Sequence, residues 1–239
     1  MKLMAKWAGL LLAMAIVVPL FSAQDASAYS WTRTLSEGTS GADVKELQVR
    51  VAGWAADSAS KTYVGVDGQF GPGTKAAVIR FQRAYGLTAD GVVGPATQAV
   101  LNGLESSDGS TSNFNFTEFH SKDGTGFSGG KVDANTVKEN VRRLMYKLEA
   151  VRKKSGNKSI TINSGFRSIN HNASVGGASN SQHMYGIAAD IVVSGYTPPS
   201  VANFAKTSGF SGVILYSSFT HVDSRAEYAS YGSPSFYWP

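Results

Sequence analysis

A short internal repeat constrains the fold of the first half of the chain. Residues 67–74 read Asp-Gly-Gln-Phe-Gly-Pro-Gly-Thr, and residues 90–97 read Asp-Gly-Val-Val-Gly-Pro-Ala-Thr. In each copy Asp-Gly is typical of a tight turn, and Gly-Pro places proline in the first turn of a helix, where its fixed φ fits. The repeat therefore predicts two units in which a turn leads into a helix at a fixed angle.

Apolar residues at helical spacing support three short helices between residues 36 and 104. One set precedes the repeat and another follows its first copy, and both recur at steps of three and four. The residues are Val44, Leu47, Val51, Trp54, Val78, Phe81 and Tyr85. We expect a domain of three helices around one small core over residues 36–104.

The next segment differs in composition from both of its neighbours. Residues 105–113 contain no apolar side chain and are rich in serine, which is typical of a flexible linker. Beyond it, Asp133 can cap a long helix that ends near Gly156, and apolar runs predict strands at 159–163, 188–193, 212–216 and 219–224. Residues 114–239 are therefore expected to form a second, α+β domain.

The first 28 residues have the features of a secretory signal peptide. Lys2 and Lys6 precede an apolar run at 10–21, and Ala-Ser-Ala at 26–28 fits the rule for cleavage. The apolar run is shorter than a membrane span requires, which favours a cleaved signal peptide over a membrane anchor. We therefore expect no membrane span once the signal peptide has been removed. With no cysteine in the chain, thiolate metal ligands and cysteine nucleophiles are excluded.

Two histidines stand in distinctive contexts in the second domain. His183 ends a polar loop, and Asp190 follows it on an apolar strand. In Phe-Thr-His-Val-Asp at 219–223, His221 and Asp223 share one face of a strand because side chains alternate. Two imidazoles and one carboxylate can hold a catalytic zinc, although on spacing alone such residues are more often hydrogen-bonded structural groups.

Longer motifs in both halves resemble known families. The first repeat copy, followed by Val-x-x-Phe-Gln and a closing Gly-Leu-x-x-Asp-Gly, resembles the three-helix peptidoglycan-binding domain. Residues 181–190 read Ser-x-His-x-x-Gly-x-Ala-x-Asp, and residues 164–168 read Ser-Gly-Phe-Arg-Ser. Together with the late His221, these motifs resemble the zinc D-alanyl-D-alanine carboxypeptidase family, which is related to hedgehog and lysostaphin-type domains.

The resemblance implies a role for each matching residue. It makes His183, Asp190 and His221 the ligands of one Zn²⁺ ion. It places Ser181 beside these ligands and in contact with the substrate, and it makes Arg167 a substrate-binding and catalytic residue. A guanidinium can grip a carboxylate or carbonyl through paired donors. It also implies a hedgehog-like α+β domain with a mainly antiparallel sheet, in which a zinc-activated water attacks the peptide bond.

The chain departs from this family at one point. Many relatives hold a histidine two positions before the last zinc ligand and an acidic general base three positions before it, but here Phe219 and Ser218 stand there. Asp223 could serve as the base, orient the ligand His221, or form a salt bridge to Arg225. Glu227 is a weaker candidate for the base.

These features predict a secreted, cell-wall-associated zinc peptidase that hydrolyses peptidoglycan, either as a D,D-carboxypeptidase or as an endopeptidase. The alternative is a catalytically silent peptidoglycan-binding protein in which zinc is structural. The expected partner is bacterial peptidoglycan and the expected state a monomer. No nucleic-acid motif is visible. The aromatic residues near the C-terminus favour a terminus that packs against the second domain over a surface that stacks on sugars.

Overall fold

The computed structural model describes residues 29–238. The predicted signal peptide, residues 1–28, lies outside this range. None of the helices within it is long and apolar enough to cross a membrane. Two hydrophobic cores lie in the described part of the chain. The first is built from residues before 105 together with Ala150, and the second from residues after 113.

The first core is enclosed by three helices, as the repeat predicts. They are α1 (Ala42–Arg50), α2 (Pro72–Ala84) and α3 (Pro95–Asn102), with a short 3-10 turn at Ala52–Trp54. Proline begins both α2 and α3. Their buried side chains include Leu47, Phe81 and Leu101, which have no exposed surface.

Each copy of the repeat is held by a glutamine from the preceding helix. Gln48 donates through Nε2 to Asp67 Oδ1 at 2.7 Å and to Thr74 Oγ1 at 3.1 Å, and its Oε1 accepts from the amide of Gly68 at 2.8 Å. The same contacts recur in the second copy among Gln82, Asp90, Thr97 and Gly91. The repeated Asp and Thr therefore tie each turn to a helix, which explains why the same residue types recur.

The second domain is built on a four-stranded antiparallel sheet in the order β1-β2-β4-β3. The strands are β1 (Ile160–Ser164), β2 (Ala188–Val193), β3 (Gly212–Leu215) and β4 (Thr220–Asp223). The helices are α4 (Ala134–Lys154), α5 (Ile169–Ser174) and α6 (Pro198–Thr207), of which the sequence predicts only α4. Further 3-10 turns lie at Phe116–Phe119, Gln182–Tyr185, Arg225–Glu227 and Ala229–Tyr231. The predicted α+β class is confirmed.

Helix α4 is the longest element and serves both cores. Asp133 caps it by accepting from the amides of Asn135 and Thr136 at 3.0 Å. Its apolar face packs on the sheet, as predicted, but Ala150 on another face belongs to the core of the first domain. The helix is therefore buried on more sides than its amphipathic pattern indicates.

The contact between the two domains is close. A Cβ added to Gly53 in the Ala52–Trp54 turn would lie 2.4 Å from Ala150 Cβ, so only glycine fits against α4. Arg143 donates to the carbonyl of Val64 at 2.6 Å, and Arg142 of α4 pairs with Glu46 of α1. The two domains therefore share a packed seam.

Residues 105–113 differ from the flexible linker that their composition predicts. Ser110 and Thr111 are fully buried, and the amide of Ser106 donates to the carbonyl of Ser110 at 2.9 Å. Asn113 is bound through its amide to Glu149 of α4 at 3.0 Å. The small polar side chains of this segment allow a tight hydrogen-bonded turn, while the domain boundaries themselves stay predictions.

The C-terminal residues dock on the second domain. The amide of Val213 donates to the carbonyl of Tyr237 at 2.8 Å, and Trp238 packs against the core while donating to the carbonyl of Phe210 at 3.0 Å. This arrangement agrees with the prediction of a docked terminus.

Candidate active site

A cleft of about 400 Å³ opens beside the paired strands β2 and β4. Its walls come from the loop after β1, the loop before β2, the ends of β3 and β4, and the C-terminal segment. His183, Asp190 and His221 all line it and are nearly buried. The cleft therefore holds the three residues that the sequence predicts as metal ligands.

The backbone brings these three residues together. Asp190 on β2 and His221 on β4 are direct partners in the antiparallel register. His183 lies in the Gln182–Tyr185 turn, which ends at Gly186 with φ of 75°, a left-handed conformation that favours glycine. The chain then enters β2 at once, so the histidine stays beside the strand pair.

Three side-chain atoms converge at this point. Asp190 Oδ1 lies 2.9 Å from His221 Nδ1 and 3.3 Å from His183 Nε2, and the two histidine nitrogens are 3.2 Å apart. Ligands bound at 2.0–2.1 Å to a tetrahedral zinc are about 3.3 Å apart, so these separations fit such an ion. Within residues 29–238 this is the cluster of histidine and acidic groups that could hold a metal.

The second nitrogen of each histidine fixes its tautomer. His183 Nδ1 lies 2.6 Å from the carbonyl of Gly165, which can only accept, so Nδ1 carries the proton. His221 Nε2 lies 3.0 Å from Asp223 Oδ2 and donates to it in the same way. Both inward nitrogens of the neutral rings then present lone pairs to a carboxylate oxygen, an arrangement that calls for a cation.

The pKa values of His183 and Asp190 agree with these roles, whereas the pKa of His221 is shifted toward the protonated ring. Burial lowers the pKa of His183 and keeps its ring neutral. For His221 burial also lowers the pKa, but hydrogen bonds with Asp190 and Asp223 outweigh it and raise the pKa overall. Burial tends to raise the pKa of Asp190, yet contacts with both histidines hold that pKa well below its usual range. The carboxylate is therefore ionised and available as a ligand.

Asp223 is enclosed rather than open to the cleft. Its side chain has no exposed surface, and besides His221 it binds Arg225 through that residue's amide at 2.9 Å and its Nη2 at 2.5 Å. A Cβ on Gly212 would lie 2.1 Å from the Asp223 carboxylate, so the neighbouring strand must have glycine there. The sequence leaves three roles open for Asp223. This geometry fits two of them, the orientation of His221 and the salt bridge to Arg225, and not the role of general base.

Arg167 joins the cleft to the candidate ligands. Its Nη2 donates to Asp190 Oδ2 at 2.6 Å, and its Nε donates to Ser164 Oγ at 2.8 Å. The other carboxylate oxygen of Asp190, Oδ1, faces the two histidines of the cluster. Arg167 lines the cleft with part of its side chain exposed, so it can reach a ligand there while fixing Asp190.

Ser181 also lines the cleft, at the start of the turn that carries His183. Its carbonyl accepts from the amide of Met184 at 3.1 Å. Glu227, the weaker candidate for a base, is buried away from the cleft beside Lys147 and Arg143. Of the residues that the structure describes, Asp190 is the one acidic side chain that lines the cleft.

Sequence reasoning missed two residues of the cleft wall. The sequence predicts Arg225 only as a salt-bridge partner, although its position two residues after Asp223 could indicate a functional pair. Tyr216 lies in the turn between β3 and β4, and no motif in the sequence marks it. The structure adds both because the sheet brings the ends of these strands to one cleft.

A buried set of two histidines and one carboxylate, with the remaining ring nitrogens fixed and an open cleft beside it, defines a zinc metallopeptidase. The chain belongs to the peptidase M15 family, whose model matches residues 112–223. A model of a peptidoglycan-binding domain matches residues 40–101. Such a domain indicates an extracellular or cell-wall location, with peptidoglycan as the partner.

Known relatives agree with this assignment. The chain is 47% identical over 186 residues to the zinc D-Ala-D-Ala carboxypeptidase of Streptomyces albus G. The matched region makes up 78% of this chain and 71% of that protein. It is 33% identical over 128 residues to a spore cortex-lytic enzyme of Bacillus cereus, and spans 45% of that protein's length. The predicted class of enzyme and its zinc cofactor are confirmed.

Proposed function

We propose that this protein is a D,D-carboxypeptidase that removes the terminal D-alanine from the stem peptides of peptidoglycan. The observation that carries the proposal is the convergence of His183, Asp190 and His221 on one point of a cleft that two arginines line. The zinc D-Ala-D-Ala carboxypeptidase among the relatives supports the choice of bond.

His183 Nε2, Asp190 Oδ1 and His221 Nδ1 would hold the zinc ion. Bound zinc supplies a Lewis acid that lowers the pKa of water and polarises a carbonyl. The carbonyl of Gly165 and the carboxylate of Asp223 keep both rings in the tautomer that binding needs. Asp223 has this orienting role in our proposal, because its buried, paired carboxylate leaves it no access to the substrate.

Arg167 and Arg225 suit a substrate with a free carboxylate. Both guanidinium groups line the cleft, and each is held through two of its nitrogens: Arg167 by Asp190 and Ser164, and Arg225 by Asp223. A planar guanidinium so fixed can present its remaining N–H groups to a carboxylate without losing much freedom. Because Asp190 is committed to the metal cluster, no other acidic side chain in the described part of the cleft would repel that carboxylate.

The test is mass spectrometry of purified peptidoglycan fragments after incubation with the chain from Tyr29, with and without a chelator. We expect pentapeptide stems to lose one terminal alanine only when zinc is present. His183→Ala is the matched control and should leave the fragments unchanged.

Other outcomes would change the proposal. Chelator-sensitive cleavage of cross-linked dimers without loss of the terminal alanine would identify an endopeptidase. Unchanged fragments despite bound zinc would favour the catalytically silent peptidoglycan-binding protein.

A further inference from the structure

Phe219 has a defined structural role in the turn between β3 and β4. Phe219 packs face to face on Tyr216, with the two ring centroids 4.3 Å apart and the planes inclined by 14°. The amide of Tyr216 also donates to the carbonyl of Phe219 at 3.1 Å, which closes the turn between β3 and β4. We call this pair, Tyr216 and Phe219, the aromatic lip.

Phe219 supports Tyr216 but does not line the cleft, whereas Tyr216 does. The stacked pair therefore places the aromatic ring of Tyr216 at the mouth of the cleft. Stacking holds the ring of Tyr216 in one orientation, so it presents a rigid surface at little cost in side-chain entropy.

The lip belongs to an apolar rim. Among the described residues, seven large hydrophobic side chains are exposed, and two of them line this same cleft: Tyr216 with 48% exposed and Val175 with 53% exposed. Ile214, one residue before Leu215 on β3, lines it as well. Exposed apolar side chains grouped around one cleft are typical of a surface that binds a ligand.

We infer that the aromatic lip is a subsite for an aliphatic side chain on the residue that precedes D-Ala-D-Ala in the substrate. The inference rests on the proposed function. If the terminal carboxylate binds the arginines inside the cleft, the rest of the peptide must leave across the rim. There Tyr216 offers a flat apolar face, which aliphatic groups contact favourably.

The experiment measures binding of two analogues in which the scissile amide is reduced: N-acetyl-Leu-D-Ala-D-Ala and N-acetyl-Gly-D-Ala-D-Ala. Calorimetry with the zinc-loaded chain should give about fivefold tighter binding of the leucine analogue, since part of an aliphatic side chain is buried. Tyr216→Ala should bind both analogues equally. Tyr216→Phe should keep the preference, because the ring and not the hydroxyl makes the contact.

Leu215→Ala is the matched control. Leu215 lies next to Tyr216 and is 38% exposed, but it does not line the cleft, so the preference should survive its removal. Phe219→Ala should weaken the preference because Tyr216 loses its support. Circular dichroism of each variant identifies any that fails to fold.

A preference for leucine that persists in Tyr216→Ala would overturn the subsite, as would its loss in Tyr216→Phe. Failure of the proposed function would be seen separately, as absence of hydrolysis of the unmodified peptides by the unsubstituted chain. The ratio of the two affinities tests the lip in either case.

Discussion

Single residues at the candidate metal centre differ in how far the sequence reveals their role. His183, Asp190 and His221 stand in ordered motifs, and the structure brings their inward atoms within 3.3 Å of one another. The role of Asp223 depends on which nitrogen of His221 it meets and on what else binds its oxygens. Both are facts of packing, and the sequence leaves them open.

Asp223→Asn should lower zinc affinity about 10- to 100-fold, because the ligand His221 loses the charged acceptor that fixes its tautomer. Turnover at saturating zinc should fall much less, and competition with a chelating dye measures the affinity. Asp57→Asn, in an exposed pair with Arg80, is the control and should change neither value. Unchanged zinc affinity together with abolished turnover would instead make Asp223 the general base.

Helix α4 shows how an element can depart from its sequence pattern. The spacing of Val137, Val141, Leu144, Leu148 and Val151 predicts one apolar face, and that face does pack on the sheet. The face that carries Lys147 is buried too, and Lys147 pairs there with Glu227. A buried pair satisfies these charges, so polar residues in the pattern do not guarantee exposure.

Lys154 at the C-terminal end of α4 should make stability depend on pH. Its Nζ donates to the carbonyl of Thr207 at 2.9 Å, and burial, assisted by the charge of Arg80, lowers its pKa to about 7. In the unfolded chain the pKa returns to 10.5. Between these values the unfolded chain binds the proton that the folded chain has released, so stability rises with pH.

The comparison is the free energy of unfolding of the unsubstituted chain minus that of Lys154→Met. We expect this difference to rise by about 3–4 kcal/mol between pH 7 and pH 10 and to be nearly flat below pH 7. Urea unfolding at each pH measures it, and the exposed Lys158→Met should give no such slope. A flat difference would mean that the surrounding oxygens keep Lys154 charged.

For the whole molecule, the seam between the two domains matters more than the segment that joins them. Gly53 meets Ala150 of α4, and Arg142 pairs with Glu46 of α1. The buried turn at 105–113 adds to this contact. The described part of the chain therefore holds the peptidoglycan-binding domain against the peptidase domain.

The chain from Tyr29 should unfold in one cooperative transition, because α4 belongs to both cores. Gly53→Ala should lower stability by about 1–3 kcal/mol and separate the domains into two transitions, since its Cβ overlaps α4. Differential scanning calorimetry measures both. Gly65→Ala, whose Cβ would meet nothing within 4 Å, should keep a single transition. Two transitions in the unsubstituted chain would contradict a shared core.

The sequence by itself determined the four strands, the helices α1 to α4 and the candidate ligands, but not α5 and α6. The Asp-Gly and Gly-Pro repeat predicts α2 and α3, the four predicted strands are present within two residues of their expected ends, and the motif around His183 and His221 identifies the cluster. These features depend on turn chemistry, side-chain period and residues near in sequence, so they can be read locally.

Only the tertiary structure decided which partners distant residues find. Asp223 lies beside His221 and is closed off from the cleft because Arg225 and Gly212 enclose it, and Tyr216 reaches the cleft because β3 pairs with β4. The serine-rich segment at 105–113 is ordered because Glu149 of α4 binds it. These contacts depend on how the strands and helices pack, whether the partners are near in sequence, as Asp223 and Arg225 are, or far apart, as Asn113 and Glu149 are. Composition and period do not encode that packing.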